Sequence, residues 1–460
     1  MKLPEYFDNY FKDLMKSDEY EHFKDSFDAK RVQGLRVNTL KIQNSEFIRL
    51  SSMALSSIPW ITNGFYYEEG ETPGKNSYYH AGLYYIQEPS AMMPGLVLSP
   101  NKGERVLDLC AAPGGKTTHL GCLMENTGLI VSNDISPKRV KPLAKNIALM
   151  GLTNTLVVNE TPQRLSIVFP EFFDKILLDV PCSGEGTFRK DKDAIQNYTR
   201  FTSTECVAIQ REIFQYAYEM LKPGGTLVYS TCTFNPDENE RNMAVFINQY
   251  GLIADKLEPF GGWEHSRGEW TVNKDETMSN GLRLWPHKAC GEGHFVFRLK
   301  KLGESNLNER NNLPSETVYT SSEAEGAARS FKEFEAEHMN TDIHGSFHLS
   351  GNKLYRLPDG LSEIPRLRWE TAGLYLGEHL KYGFEPSQAL AMASEAGDFE
   401  KVVNLSREDH QVIRYLKGET LMQEGKKGYT AICVDGFPLG WGKQENGGIK
   451  NLYQKGWRMM

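Results

Sequence analysis

The sequence predicts an α/β protein built on a Rossmann-like parallel sheet with helices on both faces, set between two less regular regions. Three observations carry this. From Glu104 to about Lys301, short apolar runs alternate with helix-like stretches, as βαβ units require. The first apolar run passes straight into a Gly-Gly turn, "LDLCAAPGGKT". The cysteine-bearing and acidic segments that follow lie just beyond apolar runs, at the carboxyl ends of strands, where open α/β sheets hold ligands.

The elements follow in order. Residues 1–90 read as a mixed α/β region containing "LRVNTLK" and the aromatic cluster "GFYYEEG". Residues 91–301 hold the sheet: "RVLDLC", "GLIVSND", "NTLVVNE", "DKILLDVP" and "GTLVYSTC" are short and rich in β-branched residues. Between them, "PKRVKPLAKNIALMG" has proline near its start and glycine at its end, and "STECVAIQREIFQYAYEMLKPGG" closes on Pro-Gly-Gly. Residues 302–340 read as an exposed acidic linker, since 301–345 carries 9 acidic and 4 basic groups. An intermediate region over 341–385 leads to a compact C-terminal region, 386–460, in which "GYTAICVDGFPLGWGKQ" has strand-turn-strand character.

Bulk properties narrow the function. A chain of 460 residues is long enough for several domains. No apolar run approaches the roughly 18 to 20 residues that cross a bilayer, and the charged, aromatic N-terminus does not resemble a signal peptide, so a cytoplasmic location is expected. The seven cysteines show no C-x-x-C pair and no metal-like spacing, which argues for reduced thiols and no metal. A net charge of -8 weighs against a nucleic-acid partner, but the charge is uneven: residues 401–460 hold 10 basic and 6 acidic groups.

The Gly-Gly turn invites a phosphate-loop reading, which fails on inspection. That loop needs a glycine five residues ahead of its Gly-Lys-Thr, and the position is Cys110. "KILLDV" (175–180) completes the decoy by resembling a magnesium-binding strand. The alternative is a turn that lets backbone amides approach an adenosine cofactor, dinucleotide or S-adenosylmethionine, with Asp134 at the end of the second strand on the ribose hydroxyls. A plainer alternative leaves Gly114 and Gly115 merely turning the chain and Asp134 capping the next helix.

Two cysteines stand out. Cys182 in "DVPCSGEGTFRKD" and Cys232 in "YSTCTFNPDENE" follow predicted strands at the edge that carries the glycine turn. Cys110, Cys122, Cys206, Cys290 and Cys433 read as small buried hydrophobes. Turns dense in Pro, Gly, Ser and Thr instead present a thiol to a substrate. Two thiols beside a nucleoside cofactor suit methylation at pyrimidine C5, a carbon too weakly nucleophilic until a thiolate adds at C6. Asp179 is placed to hydrogen-bond the N3/N4 edge of the base, and a second thiol or a water chain serves the elimination.

These four segments, "LDLCAAPGGKT", "NDISPKR", "DVPCSGEGTFRKD" and "STCTFNPDENE", resemble in order and spacing the RNA (cytosine-5)-methyltransferases of the Nol1/Nop2/Sun group. "LRVNTLK" and "YIQEPSAMMP" look like the group's upstream segments, and the C-terminal run is similar to the PUA-like RNA-binding tail of its bacterial RsmF type. The resemblance implies S-adenosylmethionine as cofactor and 16S ribosomal RNA or the small ribosomal subunit as partner. Cys110, Ala111, Ala112, Pro113, Gly114, Gly115 and Lys116 would then line the cofactor pocket, with Asp134 on the ribose and Asp179 between the methionine moiety and the base. Cys232 would attack C6, and Cys182 would help release the product. Where the group has an aspartate near the adenine, this chain has "VVNETPQRL", so Asn159 or Glu160 takes that role. Lys116 keeps two readings, ligand contact or helix-start cation.

Arg36, Lys41, Lys138, Arg139, Arg189, Lys190 and Arg241 are the candidate phosphate contacts, together with the basic C-terminal region. The target base must leave its stack to meet Cys232. A monomer without metal or membrane is expected. A non-catalytic ribosome-assembly factor that binds RNA, and a transfer-RNA methyltransferase, are the alternatives; retention of both cysteines speaks against the first and the C-terminal tail against the second.

Overall fold

A computed structural model describes residues 1–190, 192–198, 203–303 and 318–459. Its centre is a ten-stranded sheet. In chain order the strands are β1 (Arg105–Asp108), β2 (Leu129–Asn133), β3 (Thr155–Val158), β4 (Phe173–Asp179), β5 (Leu221–Thr231), β6 (Ile253–Asp255), β7 (Glu264–His265), β8 (Leu282–Leu284), β9 (His294–Lys300) and β10 (Trp369–Ala372). The parallel strands lie in the order β5-β4-β1-β2-β3, a doubly wound arrangement, and antiparallel β9 flanks β5 while antiparallel β10 flanks β3. β2 and β3 are buried along their whole length, as strands covered on both faces must be. Helix α1 (Gly115–Leu123) follows β1, and α2 (Pro137–Met150) follows β2. Pro137 opens α2 and Gly151, at φ 74°, closes it in the left-handed conformation that favours glycine.

Two flanking regions brace the ligand edge. Helices Glu5–Leu14 and Ser17–Ser26 bury Phe7, Phe11 and Phe23 in one aromatic cluster with Phe188, Phe234 and Trp285. Phe188 and Phe234 belong to the two cysteine loops, so this N-terminal cluster fixes both. A four-stranded antiparallel sheet follows, including Gly34–Val37, Gly64–Tyr67 and Tyr84–Ile86. From it the buried Arg36 reaches across to donate to the Gly115 carbonyl and the Thr118 hydroxyl, each at 2.9 Å.

The C-terminal part forms a five-stranded sheet spanning Val318–Tyr319 to Gly383–Pro386, then a four-stranded one from Val402–Leu405 to Gly448–Asn451. The expected strand-turn-strand is Gly428–Val434 paired with Phe437–Glu445, and the tight turn places Asp435 and Gly436 at positive φ. The expected linker over 302–340 needs correction: residues 304–317 lie outside the described residues, but Ser322–His338 is a helix capped by Ser321 that buries Ala327, Phe331 and Phe334. Its other acidic residues occupy the outer face, which lowered the apparent apolar content, while Glu335 is buried and accepts from the Ile343 amide. A second departure is β10, contributed by the intermediate region to the free edge of the central sheet.

A buried ion pair ties the second cysteine loop to the sheet. Glu240, at the first turn of the helix Glu240–Tyr250, receives Arg283 Nε and Nη2 from β8 at 2.6 Å each, and Arg283 Nη1 donates to the Phe234 carbonyl at 2.9 Å. Both side chains are buried, so losing one strands the other charge in a dry site. Arg283→Leu should therefore cost about 3–5 kcal/mol in urea unfolding. A loss under about 1 kcal/mol would mean that water reaches Glu240 and the loop is not anchored there.

Candidate active site

β4 and β5 run in parallel side by side, with Asp179 opposite Ser230 in register. Both strands therefore deliver their next residues to one place. Cys182, three residues past β4, and Cys232, the first residue past β5, bring their sulfurs within 3.3 Å. The Cys182 thiol is held well above its ordinary value by that hydrogen bond and by burial, so it keeps its proton.

Both loops are held by buried polar contacts. The Ser183 amide and Gln210 Nε2 donate to Glu238 Oε2 at 3.0 and 2.8 Å, and Ser183 and Thr233 share a 2.8 Å hydroxyl contact. Gly186 donates its amide to the Cys232 carbonyl at 2.8 Å; a Cβ there would sit 2.9 Å from that oxygen, so glycine is required by space. Glu185, fully buried, accepts from the Phe234 amide at 2.9 Å and the Tyr198 hydroxyl at 3.1 Å. Burial, with Glu238 nearby, pushes its carboxyl up to about 7.

Asp179 is the charged centre beside the thiols. Its Oδ2 receives Lys116 Nζ at 2.6 Å and its Oδ1 the Ser230 hydroxyl at 2.8 Å. Burial would raise this carboxyl, but Lys116 outweighs burial and holds it below the ordinary aspartate value. Lys116 is correspondingly raised, burial being overcome by Asp179, so the two form a charged pair. His294, at the start of β9, lies 3.8 Å from Asp179 Oδ1; burial and Lys116 bring it down to about 3, so the imidazole is neutral and the contact is not a salt bridge.

The glycine turn and its surroundings lie along the same edge. After β1 the chain passes through a cis Ala112-Pro113 bond to Gly114 at φ 111°, a conformation that a side chain would strain. Ala111 donates to the Asn133 carbonyl at 2.7 Å, while Arg139 and Asn146 donate to the carbonyls of Ala112 and Pro113 at 2.6 and 2.9 Å. The Cys110 thiol is raised by burial and by Asp108, so it keeps its proton. Asp108 accepts Thr117 Oγ1 at 2.7 Å on Oδ2, while its buried Oδ1 has no partner; burial pushes it up to about 7. At the end of β2, Asp134 is buried, with Ser136 N at 2.9 Å and Arg139 Nη1 at 3.2 Å. Asn159 donates from Nδ2 to the Asp134 carbonyl at 2.7 Å, whereas the Glu160 carboxylate is taken by Arg368, through its amide at 2.7 Å and Nη2 at 3.1 Å.

Several expected contacts move elsewhere. Arg36 is buried behind the glycine turn. Lys41 donates to the Ala81 carbonyl at 2.8 Å, and burial lowers its ammonium to about 7. Arg189 is buried against Glu292 and the Gly291 carbonyl, at 2.8 and 2.6 Å. Arg241 is committed to Asp237 and the Trp270 carbonyl, each at 2.8 Å. These four cations are engaged by protein partners. Lys138, Arg139 and Lys190 are exposed. Cys290 is exposed and Cys110 half-buried, neither fully buried as expected, while Cys122, Cys206 and Cys433 are buried. Phe65 and Trp441 from the two aromatic segments pack in the core. Sequence reasoning missed Glu185, Glu238, Glu240 and Arg283; the first three lay inside the cysteine motifs, and their density of acids was the available signal.

Residues 95–300 match the family described as 16S rRNA methyltransferase RsmB/F, and residues 3–89, 333–393 and 402–459 match the N-terminal, first C-terminal and PUA domains of RsmF. The ribosomal RNA small subunit methyltransferase F of Vibrio vulnificus strain YJ016 is 32% identical over 433 residues, spanning 91% of this chain and 89% of that protein. That of Erwinia tasmaniensis is 32% identical over 96% of this chain and 94% of its own length. Among solved structures, a methyltransferase homologue from Pyrococcus horikoshii superposes with TM-score 0.55 and 31% identity, over 62% of this chain and 91% of its own. NSun6 from the same organism, solved with SFG, shares the fold at TM-score 0.56 and 22% identity, over 65% and 99%.

The buried Glu185 makes a pH prediction. Its folded value, about 7, exceeds its ordinary value of 4.5, so its contribution to stability is complete below about 4.5 and is lost as the pH rises through about 7. Glu185→Gln keeps the shape of the neutral acid. Between pH 5 and 8 the parent's urea midpoint should fall relative to that of E185Q, and a constant difference across this range would show that Glu185 titrates normally.

Proposed function

The chain belongs to the RsmB/F family of 16S rRNA methyltransferases, in its RsmF branch, and from that premise we propose that it methylates C5 of a cytosine in small-subunit ribosomal RNA through a covalent bond from Cys232 to C6. The observation that carries this reading is the 3.3 Å approach of two thiols beside the Asp179–Lys116 pair. S-adenosylmethionine is the cofactor in this reading, and its contribution is an electrophilic methyl group. The residues present fit it: the glycine turn offers backbone where a Cβ would strain, Asp108 Oδ1 is a buried acceptor without a partner, and Asp134 stands at the end of β2 with lone pairs left for ribose hydroxyls. The carry-over gives the backbone from Cys110 to Lys116 to the cofactor and places Asn159 nearest the adenine, since Glu160 is already occupied by Arg368.

The chain's own groups handle the base. Lys116 and Ser230 fix the Asp179 carboxylate, which accepts a hydrogen bond from the cytosine amino edge. The Lys116 ammonium also faces Cys232 and provides positive charge where a thiolate forms. Addition of that thiolate to C6 makes the Cys–C6 bond and moves an electron pair to C5, which then carries the new methyl. A water chain takes the C5 proton, which returns a pair to the C5–C6 bond and expels the Cys232 thiolate, and that proton restores the Cys182 thiol once it has given up its own. Cys182, protonated and 3.3 Å away, supplies a proton to the departing sulfur and so favours release.

Labelled methyl transfer to small subunits lacking the modification tests these roles. Cys232→Ala should lower turnover by more than about 10³-fold and form no denaturation-resistant adduct, whereas Cys182→Ala should accumulate that adduct. Methylation by Cys232→Ala would reassign the nucleophile to Cys182. A parent enzyme that methylates no RNA would favour an RNA-binding assembly factor.

A further inference from the structure

The free edge of the central sheet is closed by a segment from outside it, and that segment carries arginines to the ligand edge. β10 pairs with β3, with Trp369 opposite Val158. The residues leading into β10 lie just past the carboxyl end of β3. There the Asn159 amide donates to the Arg368 carbonyl at 2.8 Å, and Arg368 binds Glu160 through its amide and guanidinium. Arg164, in the first turn of the helix Pro162–Val168, donates from Nη2 to the Arg366 carbonyl at 3.2 Å and also faces Glu160. Arg139, in the first turn of α2, ties the Ala112 carbonyl to Asp134.

Four arginines from three chain segments thus border the glycine turn, Asp134 and Glu160 in succession. The Arg139 and Arg368 side chains are 58% and 67% exposed, Arg164 and Arg366 are exposed as well, and Lys138 flanks them. Of these five cations, Arg139 pairs with Asp134 and Arg368 with Glu160, and each of those carboxylates also accepts a backbone amide. The result is a positive border on a chain whose net charge is -8. An anionic polymer approaching this edge meets Arg139 and Arg164 guanidinium groups already oriented by backbone carbonyls, which reduces the ordering cost of those phosphate contacts.

We propose that Arg139, Arg164, Arg366 and Arg368 form a phosphate track that holds the RNA backbone across the cofactor side of the active edge. The inference rests on the RNA-substrate reading given above. It assigns the intermediate region a part in substrate binding, because Arg366 and Arg368 reach the edge only through the pairing of β10 with β3. Each phosphate neutralised adds about 0.7 to 0.9 to the steepness with which log affinity falls against log salt.

The test uses the full chain with 16S ribosomal RNA and measures RNA affinity from about 50 to 300 mM salt, together with S-adenosylmethionine affinity by calorimetry. The double variant Arg164→Gln, Arg366→Gln should weaken RNA binding about tenfold near 150 mM salt and flatten the salt slope by about one to two, with cofactor affinity unmoved. The pair Lys256→Gln, Lys274→Gln removes the same charge from exposed sites beyond β6 and should leave both quantities at the parent values. An unchanged slope in the arginine variant, or an equal loss in the lysine control, overturns the track. If the parent transfers no methyl to any RNA yet the arginine variant still flattens the slope, the track stands and the catalytic reading falls; if the parent methylates and the slope does not move, the track alone falls.

Discussion

Neighbouring parallel strands must end on the same side, and in this protein that constraint makes two separate cysteines into one site. Asp179 and Ser230 lie in register on β4 and β5, so the loops that follow start side by side. Cys182 and Cys232 are 50 residues apart in sequence and 3.3 Å apart in space. In the proposed reaction this thiol pair, next to the charged Asp179–Lys116 pair, makes and breaks one bond to the same ring carbon. No single loop would supply both groups with this geometry.

The rest of the molecule keeps those loops in place. From one side, the aromatic cluster of the N-terminal helices grips Phe188 and Phe234, one from each cysteine loop. From beneath, Glu185, Glu238 and the Glu240–Arg283 pair satisfy the loop amides and carbonyls. Arg36 braces the glycine turn from the N-terminal sheet, and β10 closes the far edge of the central sheet. These are buried polar contacts, each costly to leave half made, and they give the active edge its rigidity.

Much of the site was legible because its signals are local. A cysteine in a Pro/Gly/Ser turn after an apolar strand is visible in ten residues, and so are the glycine turn and Asp134. The supports were not legible, because their meaning depends on distant partners: Arg283 pairs with Glu240 across 43 residues, and Arg368 with Glu160 across 208. Arg36, Lys41 and Arg189 were misread for the same reason, since a cation in a short motif looks like a surface charge until its carbonyl and carboxylate partners are seen. The helix Ser322–His338 was hidden by composition, its Ala327, Phe331 and Phe334 stripe lying among acids that, Glu335 aside, face outward. β10 is four residues long and has no pattern of its own; only the open edge of β3 makes it a strand.

The central claim is that paired thiols serve a carbon nucleophile, and the product tests it most directly. Small subunits methylated in vitro with labelled S-adenosylmethionine would be digested to nucleosides and separated by chromatography with mass detection. The account predicts that the label elutes as 5-methylcytidine. Label on the cytosine N4 amino group, on a ribose hydroxyl or on a purine would contradict it, because none of those positions needs a thiolate at C6.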